Sequence, residues 1–139
     1  MKILTEKLTV NTEGNCDIVN ITNEVQGFVN KHKLSEGNAT VFVVGSTASI
    51  STVEYEPGLK KDIPQILEKL IPSKQKYHHH ETWGDYNGHA HVRSTILGCS
   101  QTIPFVKGEL LLGTWQQIVL LDFDDRPRVR KVVVQIIGE

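Results

Sequence analysis

Apolar and polar residues alternate along much of the chain, and this period of two predicts β-strands. Eight strands are expected, over residues 2–10, 39–44, 46–54, 89–97, 102–106, 109–112, 114–123 and 128–137. The Lys107-Gly108 pair between two of them indicates a hairpin turn, because glycine accepts the positive φ that a tight turn requires.

Two segments instead repeat apolar residues every three or four positions, as an amphipathic helix does. The first is predicted from Thr22, taken as its N-cap, to about Leu34. The second follows Pro57-Gly58 over residues 59–70, with Pro64 acceptable only near the first turn. Residues 73–88 are interpreted as a polar loop, long enough to favour a functional role.

Two helices early in the chain and many strands late predict an α+β fold with a largely antiparallel sheet or sandwich and two main helices. A length of 139 residues is typical of a single domain, expected to span 1–139. The chain has neither βαβ alternation nor a glycine-rich phosphate loop, which argues against dinucleotide-binding and P-loop folds.

Charge and hydropathy narrow the function classes. The chain has fifteen Lys and Arg residues and sixteen Asp and Glu residues, so it has no excess of positive charge. A nucleic acid is therefore disfavoured as a partner. The apolar runs are too short to cross a membrane and no leader is recognised, so we expect a cytoplasmic protein with Cys16 and Cys99 reduced. One basic stretch is interpreted as a solvated strand face rather than a phosphate-binding patch, namely Arg126, Arg128, Arg130 and Lys131, balanced by Asp122, Asp124 and Asp125.

Histidine supplies the sharpest chemical signal. Five of the six histidines lie within fourteen residues, as His78-His79-His80 and His89-Ala90-His91. On a strand, residues two apart share a face at a Cα separation of roughly 6.6 Å. Two such imidazoles and a third from the preceding loop can bind one cation, most simply zinc, with nickel, manganese or magnesium fitting parts of the pattern. The alternative is that these are exposed surface residues.

Two further positions carry candidate chemistry. Glu54 ends a strand and could act as a general base or complete a metal shell, although it could equally be solvated. Gln116 is either a buried amide or a substrate contact, and the neighbouring Trp115 is expected in the core.

The chain resembles the YjbQ-like family, whose members are often labelled secondary thiamine-phosphate synthases. The resemblance spans nearly the whole chain, and Gly113-Thr114-Trp115-Gln116 is its most specific element. The other motifs are Thr47-Ala48-Ser49 with Glu54 and Asp62, Tyr77 with His79, the block of residues 84–91, Leu97-Gly98, Pro104 and Lys107-Gly108.

The resemblance implies a small α+β domain that forms a homotrimer and binds a metal through histidines. It also implies an activity that joins a pyrimidine pyrophosphate to a thiazole phosphate. Two positions depart from the family pattern, where Gly45 replaces a histidine and Val53 replaces an asparagine. By hypothesis His89 takes the place of the missing histidine, beside His79 and His91.

We therefore expect a metal-dependent enzyme whose substrate is a small phosphorylated molecule. His79, His89 and His91 would hold the cation. Glu54 would serve as acid/base, with Gln116 also in the catalytic set, and Arg93 or Lys107 would assist the departing pyrophosphate. Arg93 is included because strand alternation puts it on the face of His89 and His91. The alternatives are a metal-dependent hydrolase and a non-catalytic trimeric module that binds a metal or ligand.

Overall fold

Eight strands and four helices follow one another along the 139 residues, all of which the computed structural model describes. In chain order they are β1 Lys2–Thr12, β2 Asp17–Asn20, α1 Thr22–His32, β3 Glu36–Val44, β4 Ala48–Glu54, α2 Pro57–Leu70, α3 His78–Trp83, α4 Gly88–Leu97, β5 Ser100–Val106, β6 Glu109–Leu110, β7 Gln116–Asp122 and β8 Arg128–Gly138.

The strands form two antiparallel sheets. The larger sheet has the order β1-β8-β3-β5-β6 and the smaller one β2-β7-β4. This confirms the predicted α+β class with antiparallel sheets. The hairpin at Lys107-Gly108 is also confirmed, since both residues have positive φ, 54° and 77°.

The main core lies between the two sheets. Val134 of the large sheet and Ile50 of the small sheet belong to the same buried cluster. Strand β7 is buried on both faces: Leu120 joins this core, whereas Leu121 joins a second cluster with Leu67 of α2 and Ala90 of α4. The layers are therefore the large sheet, the small sheet, and the α2–α4 pair.

One predicted strand is a helix. Residues 89–97 form most of α4, where the buried positions Gly88, His89, Ala90, Arg93 and Ser94 recur at helical spacing. Polar side chains occupy several of these positions, so the helical stripe was hidden and the His-Ala-His-Val order imitated strand alternation. Ser94 Oγ donates to the Ala48 carbonyl at 2.6 Å and fixes the helix on β4.

Three details of the predicted helices were also wrong. The region 73–88 is not wholly a loop, because it contains α3. Thr22 is the first residue of α1 rather than its N-cap, and its hydroxyl accepts a hydrogen bond from the backbone N–H of Ile118. Helix α2 begins at Pro57, so Pro64 lies inside it and Glu56 caps it by accepting from two backbone N–H groups.

No helix of the structure is both long enough and apolar enough to cross a membrane. Cys16 and Cys99 are both free thiols, as expected.

Candidate functional site

Helices α3 and α4 form a tight pair, here called the α3–α4 hairpin, residues 77–97. Gly84 ends α3 in the left-handed conformation and donates its N–H to the His80 carbonyl at 2.8 Å. A Cβ on Gly88 would lie 2.6 Å from Tyr77 Cβ, so only glycine allows α4 to start so close to α3.

The hairpin brings His79 and His91 together, with ring centroids 4.3 Å apart. His79 Nε2 lies 3.1 Å from Asp85 Oδ1 and 3.2 Å from Asn87 Oδ1. Asp85 Oδ1 is buried and has no hydrogen-bond partner. Ligand atoms that share a tetrahedral zinc ion lie about 3.3–3.4 Å apart, since each bond is about 2.0–2.1 Å. We call His79, Asp85, Asn87 and His91 the histidine cluster.

The cluster is not a finished coordination shell. As the side chains stand, no group of three or more His, Cys, Asp or Glu residues is arranged to hold a metal ion. What the cluster brings together is two imidazoles, one carboxylate and one amide oxygen.

His89 does not join this cluster. In α4 it lies about 200° around the helix from His91, and its side chain is buried with only 4% exposure. The expectation that the two rings share one face depended on a strand and was wrong for this reason.

Arg93 is one helical turn from His89 and is also buried. Its Nε and Nη2 donate to the Ile71 carbonyl at 3.1 and 2.7 Å, and Nη2 donates to Glu68 Oε2 at 3.0 Å. The guanidinium thereby joins α4 to the C-terminal end of α2. Arg93 shares a face with His89 but not with His91.

Glu54 and Gln116 lie opposite each other at one end of the β4–β7 ladder, whose other end is the Ala48–Asp122 pair. Six residue steps separate the two ends, which is roughly 20 Å. The Gln116 side chain is exposed rather than buried. Its amide is already engaged, because Nε2 donates to Thr52 Oγ1 at 3.0 Å. Within one chain these two residues are therefore distant from the Asp122 end.

Two other side chains lie away from the histidine cluster. Trp115 is 71% exposed, so its expected core position was wrong, and it lines a shallow cavity of about 460 Å³ with Glu54. Lys107 lies in the β5–β6 turn, where it lines a separate depression with Asn30 and Lys33 near the end of α1.

The hairpin is fastened to the Asp122 end of the sandwich through Asp124. Asn87 Nδ2 donates to Asp124 Oδ1 at 3.2 Å, and Thr47 Oγ1 donates to Asp124 Oδ2 at 3.0 Å. Burial would raise the pKa of Asp124, but hydrogen bonds from Asp125, Asn87 and Thr47 hold it down at about 2. Asp124 therefore stays ionised and keeps Asn87 beside His79.

Behind Asp124 lies a buried ion pair. Arg130, 2% exposed, donates from Nε and Nη2 to the two oxygens of Asp122, each at 2.7 Å, and from Nη2 to Thr47 Oγ1 at 2.7 Å. The prediction that Arg130 lies on a solvated face was wrong. The signal was present in the sequence, because residues 130, 132, 134 and 136 of β8 share the buried face.

Burial and the neighbouring His79 both lower the pKa of His91, while Asp124 and Asp85 partly oppose the shift. His91 is therefore neutral at pH 7, which is the form of imidazole that binds a metal.

A cavity of about 380 Å³ opens beside the histidine cluster and shares Asp85 with it. The His80 ring lies between Tyr77 and Tyr86, at centroid distances of 5.6 and 5.5 Å, and its Nε2 accepts from the Gly88 N–H at 3.1 Å. The remaining lining residues are Lys76, His78, Glu81 and Gly84. The cavity thus combines aromatic rings with a cation and the carboxylate of the cluster.

Comparisons with known proteins were made once this geometry was in hand. Residues 6–139 match the family described as "UPF0047 protein YjbQ-like". A UPF0047 protein of Archaeoglobus fulgidus is 37% identical over 129 residues, which cover 93% of this chain and 98% of the relative. One from Methanocaldococcus jannaschii is 37% identical over 134 residues, covering 96% and 94%.

Solved structures agree with these matches. The crystal structure of a YbjQ-like protein of unknown function from Sulfolobus solfataricus has a TM-score of 0.93 and 33% identity, covering 99% of both chains. An uncharacterized yjbq/upf0047 family protein from Clostridium acetobutylicum has a TM-score of 0.87 and 37% identity, covering 95% of this chain and 99% of the other.

Proposed function

The chain belongs to the UPF0047 YjbQ-like family, and we propose that it is a cytoplasmic enzyme that uses a divalent metal at the histidine cluster to act on a small phosphorylated molecule. One observation carries the proposal: the buried, unpartnered Asp85 Oδ1 lies 3.1 Å from His79 Nε2, beside the His91 ring. The Asp85 side chain is 45% exposed, but this one oxygen is enclosed and makes no hydrogen bond, so a cation bound between it and the His79 nitrogen would supply the partner that it lacks.

The proposed ligands are His79, His91 and Asp85, with the Asn87 amide oxygen as a fourth. Mixed nitrogen and oxygen ligands suit zinc or manganese better than magnesium, which prefers oxygen. The histidine that the family pattern has at position 45 is absent, and a Cβ at Gly45 would lie 2.8 Å from Arg130 Nη1. In this chain Asp85, rather than His89, is proposed as the third ligand.

The reaction proposed is the one that the family resemblance implies, the joining of a pyrimidine pyrophosphate to a thiazole phosphate. A metal bound at the cluster would neutralise the departing pyrophosphate. The cavity beside it suits such a substrate, since Tyr86 and His80 offer ring faces to a planar heterocycle and Lys76 offers a cation to phosphate. Arg93 is a weaker candidate for this role because Glu68 and Ile71 already engage it.

Glu54 and Gln116 can take part in this chemistry only if another copy of the chain brings them to the histidine cluster. The ladder separates them by roughly 20 Å from the Asp122 end within one chain. The homotrimer implied by the family resemblance is accordingly part of the proposal. A monomer in sedimentation velocity would remove both residues from the catalytic set.

Metal binding is tested with zinc and manganese by isothermal titration calorimetry, followed by elemental analysis of the dialysed protein. We expect one ion per chain for the wild type and loss of that ion in Asp85→Asn and His91→Ala. His78→Ala is the matched control, because His78 is the sequence neighbour of His79 in α3 but is fully exposed. Stoichiometric metal in Asp85→Asn and His91→Ala would overturn the proposed ligand set.

Activity is tested by assaying thiamine-phosphate formation and phosphate-ester hydrolysis side by side, with and without chelator. Chelator-sensitive formation of thiamine phosphate supports the proposed reaction, whereas hydrolysis alone would reassign the site to a metal-dependent hydrolase. Metal binding without thiamine-phosphate formation and without phosphate-ester hydrolysis would refute the proposal of an enzyme and would indicate a non-catalytic binding module.

A further inference from the structure

A second cleft lies on the opposite face of α4 from His91. It has a volume of about 280 Å³ and runs between α2 and α4, near the turn before β2. Its lining is polar except for one proline and consists of Asn15, Pro64, Gln65, Glu68, Ser73, His89 and Arg93. This volume lies just below the range of roughly 300–1,000 Å³ typical of pockets for drug-sized ligands, so the cleft suits a small group.

His89 presents one nitrogen to this cleft. The residue is 96% buried. Its Nδ1 is enclosed and has no hydrogen-bond partner. Nε2 is then the ring nitrogen that remains open to the cleft. Nδ1 is unpaired in either tautomer, and in the tautomer with its proton on Nε2, His89 faces the cleft as a donor.

Arg93 adds a second donor from the next turn of the same helix. Its Nε and Nη2 are engaged with Ile71 and Glu68, which fixes the plane of the guanidinium. Nη1 makes no hydrogen bond and is not among the enclosed polar atoms. Two donors four residues apart in a helix therefore face one small space.

The acceptors of the cleft are mostly occupied. Glu68 Oε1 accepts from the N–H and the hydroxyl of Ser73, each at 3.0 Å, and Glu68 Oε2 accepts from Arg93 at 3.0 Å. The side-chain amides of Asn15 and Gln65 make no hydrogen bond within the chain. Each amide can turn its NH2 group towards a bound anion, so four side chains of the lining can supply donors.

We propose that this cleft binds a small oxyanion, such as inorganic phosphate or the phosphoryl group of a small metabolite. His89 Nε2 and Arg93 Nη1 donate to the oxyanion, and the Gln65 and Asn15 amides complete its shell. Charge-assisted hydrogen bonds from a preoriented guanidinium are the usual means of holding such groups. The site is distinct from the histidine cluster, because α4 itself separates His89 from His91.

The test is a titration of metal-free, chelator-treated protein with inorganic phosphate. Binding is measured by calorimetry and by the broadening of the ³¹P resonance. We expect saturable binding that weakens by about tenfold in His89→Leu and in Gln65→Leu. His91→Gln is the control, since it removes a proposed metal ligand from the other face of the helix and should leave phosphate affinity unchanged. Arg93 is left intact because it also fastens α2 to α4.

A second arm uses glycerol 3-phosphate in place of phosphate. Equal affinity indicates that a phosphoryl group on a larger molecule is accepted, and weaker binding restricts the site to the free ion. No saturable binding of either ligand, or binding lost in His91→Gln but retained in His89→Leu, would overturn the proposal. Since the protein is metal-free throughout, neither result depends on the outcome of the metal titration.

Discussion

The β-sandwich and the α3–α4 hairpin are stabilised in different ways. The sandwich core is filled by aliphatic side chains from alternating strand positions, such as Val41, Val43 and Val134. The hairpin has no buried residue in α3, and α4 buries histidine, arginine and serine. Apolar packing tolerates many partners, whereas a buried polar group needs one particular partner at one distance.

This difference separates the region that supplies most of the apolar packing from the region proposed to carry chemistry. The side chains proposed to carry chemistry concentrate in the hairpin, and the contacts that hold the hairpin on the sandwich include Asn87–Asp124 and Ser94–Ala48. We call the contacts of Asn87, Asp122, Asp124 and Arg130 between the hairpin and the sandwich the junction. Substitutions at the junction should therefore affect both regions, whereas substitutions inside the hairpin or inside the sandwich should affect only that region.

The largest effect is expected at the junction, from Asp122→Ala. It leaves the Arg130 charge buried without its partner, and breaking such a pair typically lowers the free energy of unfolding by about 3–5 kcal/mol. Urea unfolding followed by circular dichroism measures the loss. Asp62→Ala, at an exposed aspartate of α2 that makes no hydrogen bond or ion pair, is the control. A loss at Asp122 no larger than that of the control would show that the junction is not rigidly buried.

A smaller effect, confined to the hairpin, is expected from Gly88→Ala. The new Cβ would meet Tyr77 Cβ at 2.6 Å, and relief of such overpacking typically costs about 1–3 kcal/mol. Zinc affinity should fall with it, because α3 and α4 must separate. Gly27→Ala is the matched control, since nothing lies within 4 Å of its Cβ position. Unchanged zinc affinity in Gly88→Ala would show that the distance between α3 and α4 does not determine metal binding at the histidine cluster.

Acid should weaken the junction in a defined range. The folded-state pKa of Asp124, about 2, lies below its ordinary 3.8, so its stabilising effect is complete above about pH 4 and is lost as pH falls towards 2. Asp124→Asn should be less stable at pH 7 and should show a flatter pH dependence below pH 4. Parallel stability curves for the two proteins would contradict the role of the carboxylate.

The smallest effect concerns reactivity rather than stability. Burial raises the pKa of the Cys16 thiol to about 11, and Cys16 packs with residues of the α2–α4 layer, while Cys99 is half-buried. A disulfide reagent at pH 8 should modify Cys99 first, because the thiolate is the reactive form. Cys99→Ser should abolish the fast phase. A fast phase that survives would mean that the helical layer opens readily over the small sheet.

The sequence predicted the sandwich because most of its strands keep their apolar residues on one face, and the same rule failed for α4. There the buried stripe is Gly88, His89, Ala90, Arg93 and Ser94, and no hydropathy pattern identifies it. The histidine pattern pointed to the segment that forms α3 and α4, but pairing His79 with His91 rather than His89 needed the helical geometry. Asp85 and Asn87 lie within the motif block of residues 84–91 but were not identified as candidate ligands, since their contacts depend on how α3 turns into α4.

The order of strands in the large sheet has a consequence for folding. Strand β8 is the last in the chain, yet it lies between β1 and β3, so its partners are separated from it by most of the sequence. Such long-range pairings slow folding, because chain entropy is lost before the contacts form. During synthesis β1 and β3 are therefore made before the strand that joins them, and the large sheet can close only once β8 has been made.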